Sequence, residues 1–187
     1  MASRATVTRH KPGRGRVFSV LGDRIACKLL GEECGYTLSV FEVTVRPQSG
    51  PPPHVHLHED EAYYVLSGQF DFLQGDRTIH AQPGEFIHFA RGTLHTYRNV
   101  GDEPGLLLAI FTPSGVEHYF EEMDRLARAE SIDFESALKV ARRHAKVFVV
   151  DAMSSFGGMP IGLESIAADF LIFSANKCLE CVPGVGF

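Results

Sequence analysis

Between residues 17 and 112 the chain is a succession of short runs rich in β-branched and aromatic residues, cut by turns that contain glycine. Such runs predict strands, and their short connections favour antiparallel pairing. A closed barrel or jelly roll suits this many short strands better than an open sheet, because closure leaves no exposed edge. The predicted strands are residues 17–21, 24–29, 37–45, 62–66, 69–73, 77–80, 85–89, 93–98 and 106–111.

After Pro113 the period of the apolar residues lengthens from two to about 3.6, which predicts helices. Ser114 and Glu117 have the spacing of a capping box at the start of the first helix. A second helical stretch runs from Phe134 to about His144. We expect both helices, within residues 113–145, to pack on the barrel. The stripe of the first helix consists of Val116, Tyr119, Phe120, Met123, Leu126 and Ala127.

Composition narrows the class of protein and its partners. An apolar fraction of 44%, a charged fraction of 22% and a net charge of −5 are typical of a globular domain and give no reason to expect a nucleic-acid partner. No apolar run is long enough for a membrane helix. Four cysteines without an apolar leader favour a reducing compartment, so we expect a cytoplasmic location. Residues 1–16 contain five basic and no acidic residues, with Pro12, Gly13 and Gly15, and this composition favours a flexible arm over a targeting peptide.

Three histidines and a glutamate have the spacing of a metal site. Because side chains repeat every two residues in a strand, His54 and His56 point the same way. Glu61 lies at an odd offset from His56, so a turn through residues 58–60 must reset the phase before Glu61 can face inward. His95 opens a similar inward set on a later strand. Two strands and a turn are therefore expected to bring four donors to one point.

Three neutral imidazoles and a carboxylate suit a divalent transition metal such as Fe, Mn, Ni, Co, Cu or Zn better than Ca or Mg. With six-fold coordination, such a set leaves two positions for water, substrate or dioxygen. His58 is an alternative to His56 if the strand register slips, although it would not form the closely spaced pair with His54 that His56 forms. We interpret the remaining histidines as surface or core residues; they are His10, His80, His88, His118 and His144.

Two motifs carry a resemblance to the cupin superfamily. Residues 50–61, which end in His54-Val55-His56-Leu57-His58-Glu59-Asp60-Glu61, resemble with Gly68 the first cupin motif, and residues 84–99 resemble the second. The resemblance covers about residues 17–145 and is similar in kind to the single-barrel, quercetin dioxygenase-like cupins. Ala90 stands where the second motif usually has proline. The resemblance implies a double-stranded β-helix over residues 17–112 with His54, His56, Glu61 and His95 as metal ligands.

The resemblance leaves the reaction open. One hypothesis is a metal-dependent dioxygenase acting on a small organic molecule, with Glu61 as ligand or catalytic base. The other is a non-catalytic cupin that binds a metal or ligand. Small barrels of this kind often associate, so a homodimer is expected. Aromatic side chains expected to face inward are Tyr63, Phe70, Phe72, Phe86 and Tyr97, as core or as a pocket lining.

Residues 146–187 carry a different signal. Apolar strands are predicted at 147–150 and 169–174, and the motifs at 149–160 and 174–178 resemble the centre of fold-type I pyridoxal-phosphate transaminases, most closely 2-aminoethylphosphonate:pyruvate transaminase. The resemblance implies Asp151 at the pyridine nitrogen of the cofactor and Lys177 as its Schiff-base lysine. The family's phosphate-binding turn and small domain have no counterpart here. We therefore predict a short α/β fragment, a truncated fusion or chimera, that does not hold pyridoxal phosphate or act as a transaminase.

Overall fold

The computed structural model describes residues 7–75, 77–129, 134–151 and 170–172. Most of the strands lie between residues 17 and 112, as the alternating runs predict. The strands are β1 (Val17–Val20), β2 (Asp23–Leu29), β3 (Ser39–Val45), β4 (His54–His56), β5 (Asp60–Ser67), β6 (Phe70–Gln74), β7 (Arg77–Ala81), β8 (Phe86–Phe89), β9 (Thr96–Asn99), β10 (Gly105–Thr112), β11 (Lys146–Asp151) and β12 (Phe170–Ile172).

The strands form two layers around one core. The first layer has the order β1-β2-β3-β10-β5-β8, and every neighbouring pair in it is antiparallel. The second layer contains β7-β6-β9, which a single bridge between His54 and His95 joins to β4. Large side chains such as Phe41, Phe70, Phe72 and Leu107 are fully buried. The predicted jelly-roll barrel is confirmed.

Two helices follow the barrel, as predicted. Helix α1 (Val116–Arg128) buries Val116, Tyr119, Phe120 and Met123 and packs on β1, and helix α2 (Phe134–Arg143) packs on α1 and β11. Within the described residues, no helix has the length and apolarity that a membrane crossing requires.

The predicted capping box at the start of α1 is wrong. The N-cap is Gly115, and no side chain caps the helix. Glu117 instead accepts hydrogen bonds from the Ser39 hydroxyl at 2.6 Å, the Gly115 N–H at 2.9 Å and the Gly31 N–H at 3.1 Å. Three donors from the barrel and the loop before the helix satisfy the carboxylate better than one backbone N–H would. Glu117 therefore ties α1 to the barrel.

The last described strands extend the second layer. The first three residues of β11 pair antiparallel with β4, with Lys146 opposite His56 and Phe148 opposite His54. Its last three residues pair with β12, which runs parallel to it. These strands correspond to the two predicted at 147–150 and 169–174. The segment that resembles a transaminase begins at residue 146, and its first residues thus pair with the barrel strand β4.

Residues 7–16 have neither helix nor strand and are mostly exposed. The carbonyls of Lys11 and Arg14 accept hydrogen bonds from the Lys28 ammonium at 3.2 and 3.0 Å. The Gly13 N–H donates to Glu42 at 2.8 Å. This part of the predicted arm therefore lies against β2 and β3.

Candidate metal centre

The four predicted ligands converge in the interior of the barrel. His54 and His56 are the buried ends of β4, and Val55 between them is only half-buried. A bend at residues 57 and 58 precedes β5, whose second residue, Glu61, is buried. His95 lies directly before β9. The predicted phase reset between His56 and Glu61 is thus present.

The donor atoms of these side chains fit one cation. One ligand atom from each of His54, His56, Glu61 and His95 lies within 4.8 Å of all the others. Two opposite ligands of a cation with bonds of about 2.1 Å would be ~4.2 Å apart, so only a small closure is needed. His58 is exposed and does not join the cluster, which removes the alternative register.

Backbone carbonyls set the tautomer of two imidazoles. The Nδ1 of His54 lies 2.9 Å from the Pro52 carbonyl, and the Nδ1 of His95 lies 2.9 Å from the Thr93 carbonyl. A carbonyl can only accept, so each Nδ1 carries the proton and donates it. In the neutral ring the lone pair is then on Nε2, the nitrogen available to a metal.

Glu61 is held on both of its oxygens. Its Oε2 lies 2.8 Å from the Nε2 of His95 and 3.3 Å from the Nε2 of His56, and its Oε1 accepts a hydrogen bond from the Tyr63 hydroxyl. Phe89 stacks on a face of the His95 ring, at 4.4 Å between ring centroids. The carboxylate therefore has a fixed orientation toward the imidazoles.

The electrostatics favour the metal-binding protonation states of His54 and Glu61. Burial, with the nearby His56 and His95, lowers the pKa of His54 to about 3. Burial alone would raise the pKa of Glu61, but the charges of His56 and His95 and the hydrogen bond from His95 outweigh it and lower that pKa to about 2. A neutral His54 and an ionised Glu61 are the forms that coordinate cations. Burial would lower the pKa of His95, but the hydrogen bond and the charge of Glu61 outweigh it and raise that pKa, so a metal at this Nε2 would take the place of a proton.

A cavity of about 70 Å³ opens beside the cluster. Three of the four candidate ligands, His54, His56 and Glu61, form part of its wall. Its remaining wall is mostly apolar or aromatic and includes Val20, Ile25, Val43, Tyr63, Tyr97, Ala109, Phe111, Tyr119 and Phe120. A molecule in this cavity would contact the metal ligands directly.

The aromatic residues expected to face inward divide into three groups. Tyr63 and Tyr97 line the cavity, while Phe70 and Phe72 are buried in the core. The prediction that Phe86 faces inward is wrong, because its side chain is 60% exposed. In β8 the buried positions are Ile87 and Phe89, because the alternation in that strand starts with an outward residue.

The sequence alone assigns no role to three charged residues at or beside this site, which are Asp23, Glu59 and Lys146. Asp23 lines the cavity at the start of β2, and its Oδ2 accepts a hydrogen bond from the Tyr97 hydroxyl at 3.1 Å. Lys146 also lines the cavity and donates to Glu59 at 2.7 Å. The available signal was weak: Asp23 follows a turn glycine, and Lys146 opens an apolar run.

The residues predicted for pyridoxal phosphate are not brought together in the described part of the chain. Asp151 is the last backbone position of β11, and Lys177 lies outside the described residues. Their assignment to that cofactor stays a prediction.

Comparisons with known proteins agree with the two signals in the sequence. Residues 41–111 match the family model of the Cupin domain. The barrel has the cupin fold. Residues 130–187 match the model of Aminotransferase class-V, a range that includes α2 and β11. The cupin match contains all four candidate ligands, and the aminotransferase match contains Lys146.

Solved structures support the cupin fold of the barrel. A structure described as a predicted oxalate decarboxylase from Thermotoga maritima is 22% identical, with a TM-score of 0.51 over 58% of this chain and 99% of that one. The polyketide cyclase RemF from Streptomyces resistomycificus is 20% identical, with a TM-score of 0.51 over 58% of this chain and 81% of its own. At these identities the likeness shows the fold alone.

Curated relatives that are transaminases match a short part of the chain. The 2-aminoethylphosphonate–pyruvate transaminase of Vibrio vulnificus (strain YJ016) is 55% identical over 53 residues, which are 28% of this chain and 14% of that protein. The chain therefore spans a small fraction of the length of these relatives.

The donor set decides what the cupin cluster can hold. The Nδ1 contacts of two imidazoles turn their Nε2 atoms inward, and an ionised carboxylate faces the same point. Nitrogen-rich sets of this kind suit transition metals better than Ca or Mg. The residues present thus fit a divalent transition metal at the centre of His54, His56, Glu61 and His95.

Proposed function

We propose that this chain is a metal-dependent cupin dioxygenase that acts on a small organic molecule. The observation that carries the proposal is the buried His54, His56, Glu61 and His95 cluster in the wall of a cavity with mainly apolar lining. A sealed structural site would give a substrate no access to its ligands. A catalytic site needs such access, and the cavity provides it.

When bound, a divalent transition metal supplies Lewis-acid and redox chemistry and coordination positions for substrate. The residues of the chain do the remaining work. The apolar wall excludes water and packs against the carbon skeleton of the substrate, and Tyr63 holds Glu61 in one orientation. Glu61, ionised and next to the cavity, is placed to accept a proton from the substrate.

Oxygen consumption tests the proposal. The purified protein would be loaded separately with Fe, Mn, Ni, Co, Cu and Zn ions and assayed with quercetin, a flavonoid, and with acetylacetone, a diketone. We expect uptake of dioxygen with one of these metals and incorporation of both atoms of labelled ¹⁸O₂ into the organic product. His95→Ala should abolish uptake, whereas His88→Ala, an exposed histidine outside the cluster, should not.

Metal binding without any oxygen uptake would contradict the dioxygenase and support the alternative, a cupin that only binds a metal or ligand. Tight binding of an organic probe that is then recovered chemically unchanged would support the binding role. The transaminase reaction is not proposed, because the matching segment corresponds to 14% of the relative's length.

Two further proposals concern the setting of the protein. The first is a cytoplasmic location, which is supported by the free thiols of Cys27 and Cys34, because a reducing compartment keeps thiols in this form. Tyr64, Leu66 and Phe86 are 39%, 40% and 60% exposed and lie on the outer face of β5 and β8. An exposed apolar face of this kind supports association of two copies of the chain.

A further inference from the structure

The three candidate imidazole ligands are not oriented in the same way. His54 and His95 each donate their Nδ1–H to the carbonyl of the residue two positions earlier. In the described part of the chain, the Nδ1 of His56 is buried without a hydrogen-bond partner. A buried donor without an acceptor costs about 1–3 kcal/mol. Among the residues that the structure describes, His56 therefore lacks the orienting hydrogen bond that the other two imidazoles have.

Glu59 is the acceptor within reach. Its Oε2 lies 3.8 Å from the Nδ1 of His56, and both side chains are almost fully buried. An N–H···O hydrogen bond has a heavy-atom distance of about 2.9 Å, so a shift of ~1 Å would form one. Glu59 is near Nδ1 of the His56 ring, whereas Glu61 is 3.3 Å from its Nε2, so the two carboxylates face different nitrogens of the same ring.

Lys146 holds Glu59 in this position. The Lys146 ammonium donates to the same Oε2 at 2.7 Å, and the two side chains are 1% and 7% exposed. The pairing of β11 with β4 places Lys146 opposite His56, and the Leu57 N–H donates to the Ala145 carbonyl at 3.2 Å. A buried carboxylate without a cation would be strongly disfavoured. The ion pair therefore depends on a strand from the far end of the chain.

We propose that Glu59, held by Lys146, is a positioning residue that accepts the Nδ1–H of His56 when the Nε2 of His56 binds a metal. The inference rests on the metal site of the proposed function. Outer carboxylates that accept from a ligand imidazole fix its ring and raise its basicity. The strand that supplies Lys146 lies in the segment that matches an aminotransferase. This strand then supports the metal centre of the cupin barrel.

Two double variants separate the effect of the hydrogen-bond acceptor at residue 59 from the effect of the Glu59–Lys146 charges. Glu59→Leu with Lys146→Met removes the ion pair and the acceptor, and leaves no unpaired buried charge. Glu59→Gln with Lys146→Met also removes both charges but keeps an amide oxygen that can accept from His56. Because both contain Lys146→Met, they differ only at the acceptor. Lys28→Met with Glu42→Leu, which removes the 3.3 Å ion pair between β2 and β3, is the matched control.

The measurements are the Co²⁺ dissociation constant, by competition with a chelator, and the proton NMR spectrum of the Co²⁺-loaded protein. We expect three shifted, exchangeable imidazole N–H signals in the parent protein and in the Gln–Met variant. The Leu–Met variant should lose the His56 signal to exchange with solvent and bind Co²⁺ about 10–100-fold more weakly. The control should match the parent.

Equal Co²⁺ affinity and three protected signals in the Leu–Met and Gln–Met variants would overturn the positioning role. Equal losses in both variants would also overturn it, because the charges rather than the acceptor would then matter. A parent protein that does not bind Co²⁺ would refute the proposed function itself, which distinguishes the two failures.

Discussion

His54 and His95 lie directly opposite each other on neighbouring chain segments. The N–H of His54 donates to the carbonyl of His95 at 2.9 Å, and the N–H of His95 donates to the carbonyl of His54 at 3.0 Å. Their rings are 4.6 Å apart between centroids. This bridge joins the two cupin motifs, so the backbone brings ligands from both motifs together before a metal is bound.

Removal of the Tyr63 hydroxyl should weaken metal binding. In Tyr63→Phe the Oε1 of Glu61 loses its hydrogen bond, and bonds to charged groups contribute about 1.5–3 kcal/mol. Part of that loss should appear as a roughly ten-fold rise in the Co²⁺ dissociation constant, since 1.4 kcal/mol corresponds to about ten-fold. Tyr64→Phe, on the same strand but exposed, is the control. Equal affinities of the two variants would contradict the role of Tyr63.

Asp23 should make the stability of the protein depend on pH. Burial raises the pKa of its carboxyl from 3.8 to about 6, against the hydrogen bond from Tyr97 and the charge of Arg46. The folded protein therefore holds this proton more tightly than the unfolded chain. The resulting stabilisation is fully present below about pH 4 and is lost as the pH rises through about 6.

Among the described residues, the charged and titratable groups that act on Asp23 are Tyr97 and Arg46. In Asp23→Asn this titration is absent. Relative to the parent protein, the variant should gain up to about 3 kcal/mol in the free energy of unfolding between about pH 4 and pH 7. Urea unfolding at both pH values measures it. Identical pH profiles for the parent and the variant would show that Asp23 is not the responsible group.

The positions of the ligands could be predicted only where the interactions are local. The shared face of His54 and His56 follows from the two-residue period of a strand, and the phase reset before Glu61 follows from its odd spacing. The contact between His54 and His95 depends on pairing across 41 residues of chain, so the sequence alone placed His95 only through its similar inward pattern and the family motif.

Long-range pairing also explains what was missed. Lys146 belongs to a segment whose sequence resembles another family, and its contact with Glu59 exists only because β11 pairs with β4. The capping-box spacing of Ser114 and Glu117 predicts a local interaction. The carboxylate of Glu117 instead binds Ser39 and Gly31, which are distant in the chain. In each case a tertiary contact decided the structure.

Phe86→Glu should disrupt association of the chain if the outer face of β5 and β8 is the contact surface. A charge in the middle of a buried apolar contact is costly, whereas the same residue on an exposed face is not. Light scattering should therefore give a dimer mass for the parent and a monomer mass for the variant. His118→Glu, an exposed position on α1, is the control. A monomeric parent protein would contradict the proposal.

Pyridoxal phosphate should not form a stable Schiff base with this chain. The segment that contains Asp151 and Lys177 matches only 14% of the length of a transaminase relative. Incubation with the cofactor followed by desalting should therefore leave no visible absorbance band. A retained band that borohydride bleaches, and that Lys177→Ala abolishes, would show that the segment does hold the cofactor.

The metal content of the purified and reconstituted protein tests the central claim most directly. Elemental analysis should find close to one equivalent of a transition metal per chain in the parent protein and in His88→Ala. His54→Ala and His95→Ala should each lose most of it, because each removes one of the four converging ligands. A parent protein that retains no metal, or His54→Ala and His95→Ala variants that retain a full equivalent, would contradict the account.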